Sequence, residues 1–358
     1  MAAEFDEGRL DDEQALTQAD GLLRPLAEAG ARVRREAVEA AEAIEAAISA
    51  AQGEARPRAV VAAGPDSRLL RAVLEPWCPV PFVAWPGPSL PGWAGSLDLV
   101  VVLAPEGSDS GTASAVAEAV RRGCQLVVAC PARSLVAEHA AGRHSAVLPI
   151  TTGDQLATAV VMLEFLARLD LGPETDPEAV AMALDDVAIS CSPYKDLAVN
   201  PAKMMAIALA DTTPLVWGGS VLAARAARRV AESIRRTTGR AALAADAEHL
   251  LPVIAAAQRH DVFADPFADP ASDLGDPGAD ERRPVLIILD DGSADASVRE
   301  QRGRLVAAAN DRDIRVETVA SDAANEVARY AALLATGTFA GVYLAVGLDR
   351  LSRQGVQE

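Results

Sequence analysis

Between residues 59 and 150 the chain repeats one pattern: a short run that is apolar at nearly every position, then a longer segment with apolar positions three and four apart. The runs are AVVAAG (59–64), VPFVAW (80–85), LDLVVVLAP (97–105), CQLVVACP (124–131) and SAVLPI (145–150), and SRLLRAVLEPW, SGTASAVAEAVRRG and SLVAEHAAGRH lie among them. A strand with one face in water alternates polar and apolar residues. A strand buried on both faces does not, so such runs alternating with helices dictate a parallel sheet covered on both sides. DQLATAVVMLEFLARLD (154–170) then reads as a strong amphipathic helix.

A second series of the same texture follows. TDPEAVAMALDDVAISC predicts a helix that Asp176 caps ahead of Pro177. AKMMAIALAD reads equally as helix or buried strand. TPLVWG (213–218) is a strand, VLAARAARRVAESIRR a helix, RAALAAD a short strand and HLLPVIAAAQR a helix. Residues 264–283, ADPFADPASDLGDPGADERR, lack periodicity and read as an acidic mobile loop. PVLIILDD (284–291), a helix at 297–311, a strand around IRVETVA and a closing helix, NEVARYAALLATGTFAGVYLAVGLDRLSR, complete the series. Residues 8–52 are helical. The expected organisation is an N-terminal helical segment (1–55) and two α/β domains, 56–172 and 173–358, whose similarity suggests an internal duplication.

Composition narrows the function. Of 358 residues half are apolar, only 4% are aromatic, and 33 basic against 51 acidic side chains give a formal charge of −18. A field of that sign repels phosphate backbones and anionic lipid, so no nucleic acid and no membrane is expected as partner. No apolar run stands out as long enough to cross a bilayer. Cys78, Cys124, Cys130 and Cys191 form no CxxC pair, and His139, His144, His249 and His260 show no metal-ligand spacing, so no metal is expected. The thiols read as small buried side chains in a reducing compartment. The acidic start, MAAEFDEGRLDDEQ, does not read as a signal peptide, which makes a cytoplasmic location the expectation.

The segment PLVWGGSVLAARAARR (214–229) carries the most chemistry. Strand, glycines and helix follow one another, so Gly218 and Gly219 let the backbone turn sharply while the N–H groups and positive helix end behind them favour an anion. Ser220 is placed to cap the helix and add a hydroxyl. The competing reading is a tight corner with nothing bound, because glycines close many strand–helix units.

Taken together, NPAKMMAIALADTTPLVWGGS-VLAARAARR, NEVARYAALLATGTFAGVYLAVGLD with its Tyr343, Leu344, Ala345 and Asp349, and the order of strands and corners from about 55 to 352 resemble the sugar isomerase (SIS) domain family, specifically the bifunctional phosphoglucose/phosphomannose isomerases with two SIS domains in tandem. The resemblance implies two tandem doubly wound, flavodoxin-like α/β domains behind N-terminal helices, a homodimer, and aldose–ketose isomerisation of hexose 6-phosphates, a chemistry that needs no metal or organic cofactor. It places the phosphosugar against Gly218, Gly219 and Ser220, against Gly64 and Ser67 of the first corner, and against Ser108, Ser110 and Thr112 of the loop APEGSDSGT. It implies Glu232 as the carboxylate that moves the proton between C1 and C2, and His249 as the group that opens the ring. The chain departs from the family where Ala63-Gly64-Pro65 replaces a Gly-Gly-Ser corner, where Glu106 and Asp109 enter a serine-rich phosphate loop, where Thr152-Gly153-Asp154 replaces a Pro-Arg pair, and where a terminal lysine is missing. Those losses favour the alternative of a non-catalytic sensor or scaffold, a pseudoenzyme that binds a carbohydrate derivative.

Overall fold

The computed structural model describes residues 4–257 and 282–351. The acidic segment read as a mobile loop falls, but for Arg282 and Arg283, outside the described residues. A single 3-10 turn, Glu7–Leu10, precedes α1 (Glu13–Ala27) and α2 (Ala29–Ala51). Then come β1 (Val60–Ala63), α3 (Ser67–Leu74), β2 (Phe82–Trp85), β3 (Leu99–Leu103), α4 (Ser110–Arg121), β4 (Gln125–Cys130), α5 (Leu135–His139), β5 (Ser145–Pro149) and α6 (Gln155–Arg168). The second series holds α7 (Pro177–Ser190), α8 (Pro201–Leu209), β6 (Thr213–Gly218), α9 (Val221–Thr238), β7 (Leu243–Ala244), α10 (Ala247–Ala256), β8 (Pro284–Asp290), α11 (Ala296–Asp311), β9 (Val316–Ala320) and α12 (Glu326–Gly347).

Two compact units form. One gathers Glu28–Asp186 and Ala323–Ala331; the other gathers Met1–Ala27, Val187–Asp322 and Ala332–Glu358. The first contains a five-stranded sheet in the order β2-β1-β3-β4-β5 and the second a four-stranded sheet in the order β7-β6-β8-β9. All pairings are parallel. Renumbered within its own sheet the second order is 2-1-3-4, the same as the first with one strand fewer, so the architecture is α/β with flavodoxin-like strand order throughout.

The central strands of each sheet are buried on both faces, as the uninterrupted apolar runs require. In the first sheet Val61, Val100, Val102, Leu126 and Val128 pack with Ala115, Val116 and Ala119 of α4 and Val136 of α5. Their alternates Val60, Ala62, Val101 and Ala129 are equally buried, toward the side on which α6 meets β3 and β4. In the second sheet Leu215, Trp217, Leu286 and Ile288 meet Leu250 and Ile254 of α10 and Leu305 of α11, while α9 packs on β6 and β8.

Helix starts follow the caps. Asp176 Oδ1 accepts from Glu178 N at 2.9 Å ahead of Pro177, and Asp154 Oδ1 accepts from Ala157 N at 2.9 Å. The ambiguous AKMMAIALAD is a helix because Asn200 Oδ1 accepts from both Ala202 N and Lys203 N at 3.0 Å while Pro201 fills the first helical position. The closing helix stops earlier than its sequence suggests. Asp349 takes φ 51°, and Arg350 N turns back to Ala345 O at 3.0 Å, a left-handed stop of the Schellman kind. That helix also corrects the expectation that nothing here is long enough for a bilayer: α12 has 22 residues and a mean hydropathy of 1.5 over its most apolar window. With 89% of that window buried inside the protein, it is a core helix.

α2 is anchored to the first sheet through a buried carboxylate. Glu36, 0% exposed, accepts from Thr151 N at 2.9 Å and also from Thr152 N, just past β5. Arg32 Nε donates to Asp154 at 2.9 Å beside it. The stretch where the resemblance led one to expect a Pro-Arg pair is therefore used to hold α2.

Candidate functional site

In a sheet of order 2-1-3, the chain leaves strands 1 and 3 toward opposite faces, and the crevice outside their C-terminal ends is where ligands enter such folds. Here the two crevices lie at the ends of β1 and β3 and at the ends of β6 and β8. The residues expected to bind a phosphosugar fall at these places, and the two crevices are built differently.

At the first, Gly64 has φ +89°, a conformation L side chains rarely adopt. Its N–H donates to Trp85 O at 3.0 Å. A Cβ added there would lie 3.3 Å from Thr112 Oγ1, so the corner and the start of α4 meet. Thr112 and Ser67 are 2% and 1% exposed. Ser67 Oγ is buried without a hydrogen-bond partner among the described residues. Of the two acids in the loop APEGSDSGT, Asp109 is turned onto the protein's own donors, while Glu106 is exposed. Asp109 Oδ2 accepts from Thr112 N at 2.6 Å, capping α4, and the bonds from the Thr112 hydroxyl and N–H hold its carboxyl below the usual range. Asp66 accepts from the Gln155 side-chain amide. Ser108 and Ser110 are exposed at the rim. Gly107, φ +67°, seats the loop against Ser134, and Val136 N donates to Gly107 O at 3.1 Å.

At the second crevice the glycines serve the packing. A Cβ on Gly218 would lie 2.2 Å from the Ala223 carbonyl carbon, so the first turn of α9 can rest on β6 only with glycine there. A Cβ on Gly219 would lie 2.3 Å from Val298 Cγ1 and 2.8 Å from the Trp217 ring, space the protein already fills. Ser220 Oγ accepts from Ala223 N at 3.0 Å as a helix cap and donates to Asp291. Asp290 pairs with Arg302. A cavity of about 30 Å³ remains between Trp217, Gly219, Asp291 and Val298, room for water but far below the roughly 300 Å³ at which small-molecule pockets begin.

Glu232 lies along α9 and His249 at the start of α10. Glu232 Oε2 accepts from Arg229 Nη1 at 2.8 Å, with 38% of its side chain exposed. It follows Ser220 by twelve residues on α9, which at 1.5 Å per residue is about 18 Å along the axis. His249 is exposed in the first turn of α10, where neighbouring Glu248 pairs with Arg304 at 3.0 Å. Among the described residues no hydrogen bond joins either of them to a glycine corner.

The two most distinctive sequence segments meet in a buried knot. Lys203, 0% exposed, donates to Asp11 Oδ1 at 2.7 Å, Pro193 O at 2.9 Å and Lys195 O at 3.0 Å. Its ammonium stands 5.7 Å from the Tyr343 ring centroid, and Tyr343 OH donates to Cys191 O at 2.6 Å. Burial pushes the Cys191 thiol up to about 11 and raises the Tyr343 phenol as well. Sequence reasoning did not single out Lys203; one lysine inside an otherwise apolar helix was the available signal. Cys124 and Cys130 are buried and Cys78 half-buried, all with free thiols. No group of three or more His, Cys, Asp or Glu side chains among the described residues could hold a metal ion.

With this geometry in view, comparison with known proteins places the fold. Residues 198–350 match the family model described as the bacterial phospho-glucose isomerase C-terminal SIS domain. No curated protein matches the chain. Among solved structures it is similar to tagatose-6-phosphate ketose/aldose isomerase from Escherichia coli, with TM-score 0.61 and 13% identity over 92% of each chain. A glucose-6-phosphate isomerase like protein from Thermus thermophilus gives 0.54 and 17% over 94% of this chain and 92% of that one. The C-terminal domain of glucosamine-fructose-6-phosphate aminotransferase from Francisella tularensis gives 0.57 and 9% over 89% and 96%. The described chain thus has the SIS-type fold, and residues 198–350 are similar to a SIS-domain family model.

Proposed function

We propose that this chain is a phosphosugar-binding protein of the SIS type that holds its ligand in the crevice beyond β1 and β3. The observation that carries this reading is the buried hydroxyl of Ser67, without a partner among the described residues, next to Gly64, which itself meets Thr112. A buried hydroxyl without a partner is unfavourable by about 1–3 kcal/mol, and a ligand oxygen that bonds it removes that penalty. The neighbouring carboxylates of Asp66 and Asp109 are drawn onto Gln155 and Thr112, which lessens the repulsion a phosphate would otherwise meet.

Binding without turnover fits the side chains better than catalysis. Aldose–ketose isomerisation needs a carboxylate and a ring-opening acid–base group in reach of one substrate. Glu232 is committed to Arg229 and His249 faces solvent. The second reading, an isomerase of hexose 6-phosphates, draws on the family match over residues 198–350. A homodimer, which the resemblance implies, belongs to the same proposal and is checked by light scattering on the purified chain.

Thermal unfolding with glucose, mannose and fructose 6-phosphates separates these readings. An upward shift that saturates with one of them and disappears in Ser67→Ala supports the site, since native-state binding stabilises in proportion to the logarithm of ligand over Kd. No shift with any of the three discards it. A coupled isomerase assay that finds turnover, lost in Glu232→Gln, moves the conclusion to the enzyme.

A further inference from the structure

The other end of the first sheet, where its strands begin, holds a cavity of about 330 Å³. It lies beneath the last turns of α2 and α6, and alanines make it. Ala47, Ala50 and Ala51 on α2 and Ala146 on β5 present methyl groups where larger side chains would close the space. Its inner wall is apolar and rigid: Leu126, Phe165 and Leu171 are each no more than 1% exposed.

The mouth has a different character. Arg56, Arg143 and His144 stand exposed around it. Neither arginine makes an ion pair among the described residues, although the chain carries eighteen more acids than bases. The carboxylate at this rim, Glu54, is taken up by the side-chain amide of Gln125 at 2.5 Å. A second hollow of about 500 Å³ continues outward past Pro57 and Leu97, and its Arg58 is already paired with Asp98 at 2.6 Å.

An apolar chamber rimmed by uncommitted guanidinium groups is complementary to an anion with an apolar body. Its volume is at the lower end of small-molecule pockets, roughly 300–1,000 Å³. A planar guanidinium binds an oxyanion through two parallel N–H bonds, and alkyl or aryl surface gains free energy by leaving water for the inner wall. We propose that this cavity binds a small organic carboxylate with an apolar body, its chain or ring against Leu126 and Phe165 and its carboxylate at Arg56 and Arg143. The site is at the opposite edge of the sheet from the β1–β3 crevice and does not depend on the phosphosugar reading.

The test uses the full chain with octanoate and 3-phenylpropionate as probes, by titration calorimetry and thermal unfolding. Saturable binding of at least one, with an upward shift of a few degrees at high occupancy, is expected. Octanol and acetate, each lacking one half of the ligand, should shift the transition by less than a third as much. Arg56→Gln/Arg143→Gln should weaken binding at least tenfold. Ala47→Leu keeps a good helix former on a half-exposed position and should abolish binding by filling the chamber. Ser67→Ala should bind the probes like the unaltered chain, so failure here and failure at the β1–β3 crevice are told apart. No saturable binding of either probe, octanol equal to octanoate, or undiminished affinity in the double arginine variant overturns the proposal. If Ala47→Leu does not fold, the arginine variant decides.

Discussion

The two glycine corners have the same place in sheets of the same strand order, yet the better-looking motif is the more closed site. Gly218-Gly219-Ser220 keeps the sequence of a phosphate cradle, but the room its glycines leave is taken by the Ala223 backbone, Val298 and Trp217, and its serine is bonded twice. Ala63-Gly64-Pro65 lacks that sequence, but its one glycine is held at positive φ beside Thr112 and a buried hydroxyl with no partner among the described residues. A glycine can be required by a ligand or by the protein's own backbone, and only its neighbours tell the two apart.

Four measurements break or sharpen this contrast. The largest effect is expected at Gly218→Ala, where the new methyl meets backbone that cannot move aside: about 3 kcal/mol or more in denaturant unfolding. Gly64→Ala should cost only about 1–2 kcal/mol, from backbone strain, and should also remove sugar-phosphate binding. Equal losses at the two positions would erase the distinction drawn here. Next comes Lys203→Met, which keeps the stem but removes the donor to the Pro193 and Lys195 carbonyls and unpairs Asp11. It should cost about 2–3 kcal/mol with ligand affinity unchanged, since the knot is structural; lost affinity in a folded variant would make the knot part of a binding site.

Ser67→Ala removes an unsatisfied hydroxyl, so stability should stay level or rise by about 1 kcal/mol while sugar-phosphate binding is lost. A destabilised variant would reveal a partner for that hydroxyl. The smallest effect concerns pH. Cys191, raised to about 11 by burial, favours the folded state fully below the ordinary thiol range of about 8.5. That contribution is lost as pH rises toward 11, because the unfolded chain ionises first. The urea midpoint should therefore fall between about pH 8.5 and 11, and fall less steeply in Cys191→Ala. Parallel slopes would remove the thiol from the account.

Much of the fold was legible because it rests on local patterns. The strands of the first sheet stand where uninterrupted apolar runs put them, since a strand buried on both faces has few alternatives. AKMMAIALAD was ambiguous until Asn200 and Pro201 were seen working as cap and first helical residue. β7 shrank to two residues, too short for pattern to define. The length of α12 was overestimated because a left-handed Asp349 leaves no mark in composition. The site was less legible for a physical reason. Whether Ser67 has a partner, whether Asp109 faces a ligand or caps α4, and whether Gly219 borders a cavity or Val298 are facts about space, which spacing along the chain does not encode. The pairing of Glu232 with Arg229 could be read from their separation of three residues; its remoteness from the corner followed only from the helix axis.

Glu36 carries a consequence for how such a unit can be inherited or cut. A gene fragment opening at residue 56 would encode all five strands of the first sheet yet lack the only carboxylate that Thr151 N and Thr152 N use among the described residues. Recombination that exchanges this sheet must carry α2 along, or supply another anion at the end of β5. The evolutionary module is therefore longer than its strand pattern, and its edge is set by a carboxylate more than a hundred positions upstream of the backbone it completes.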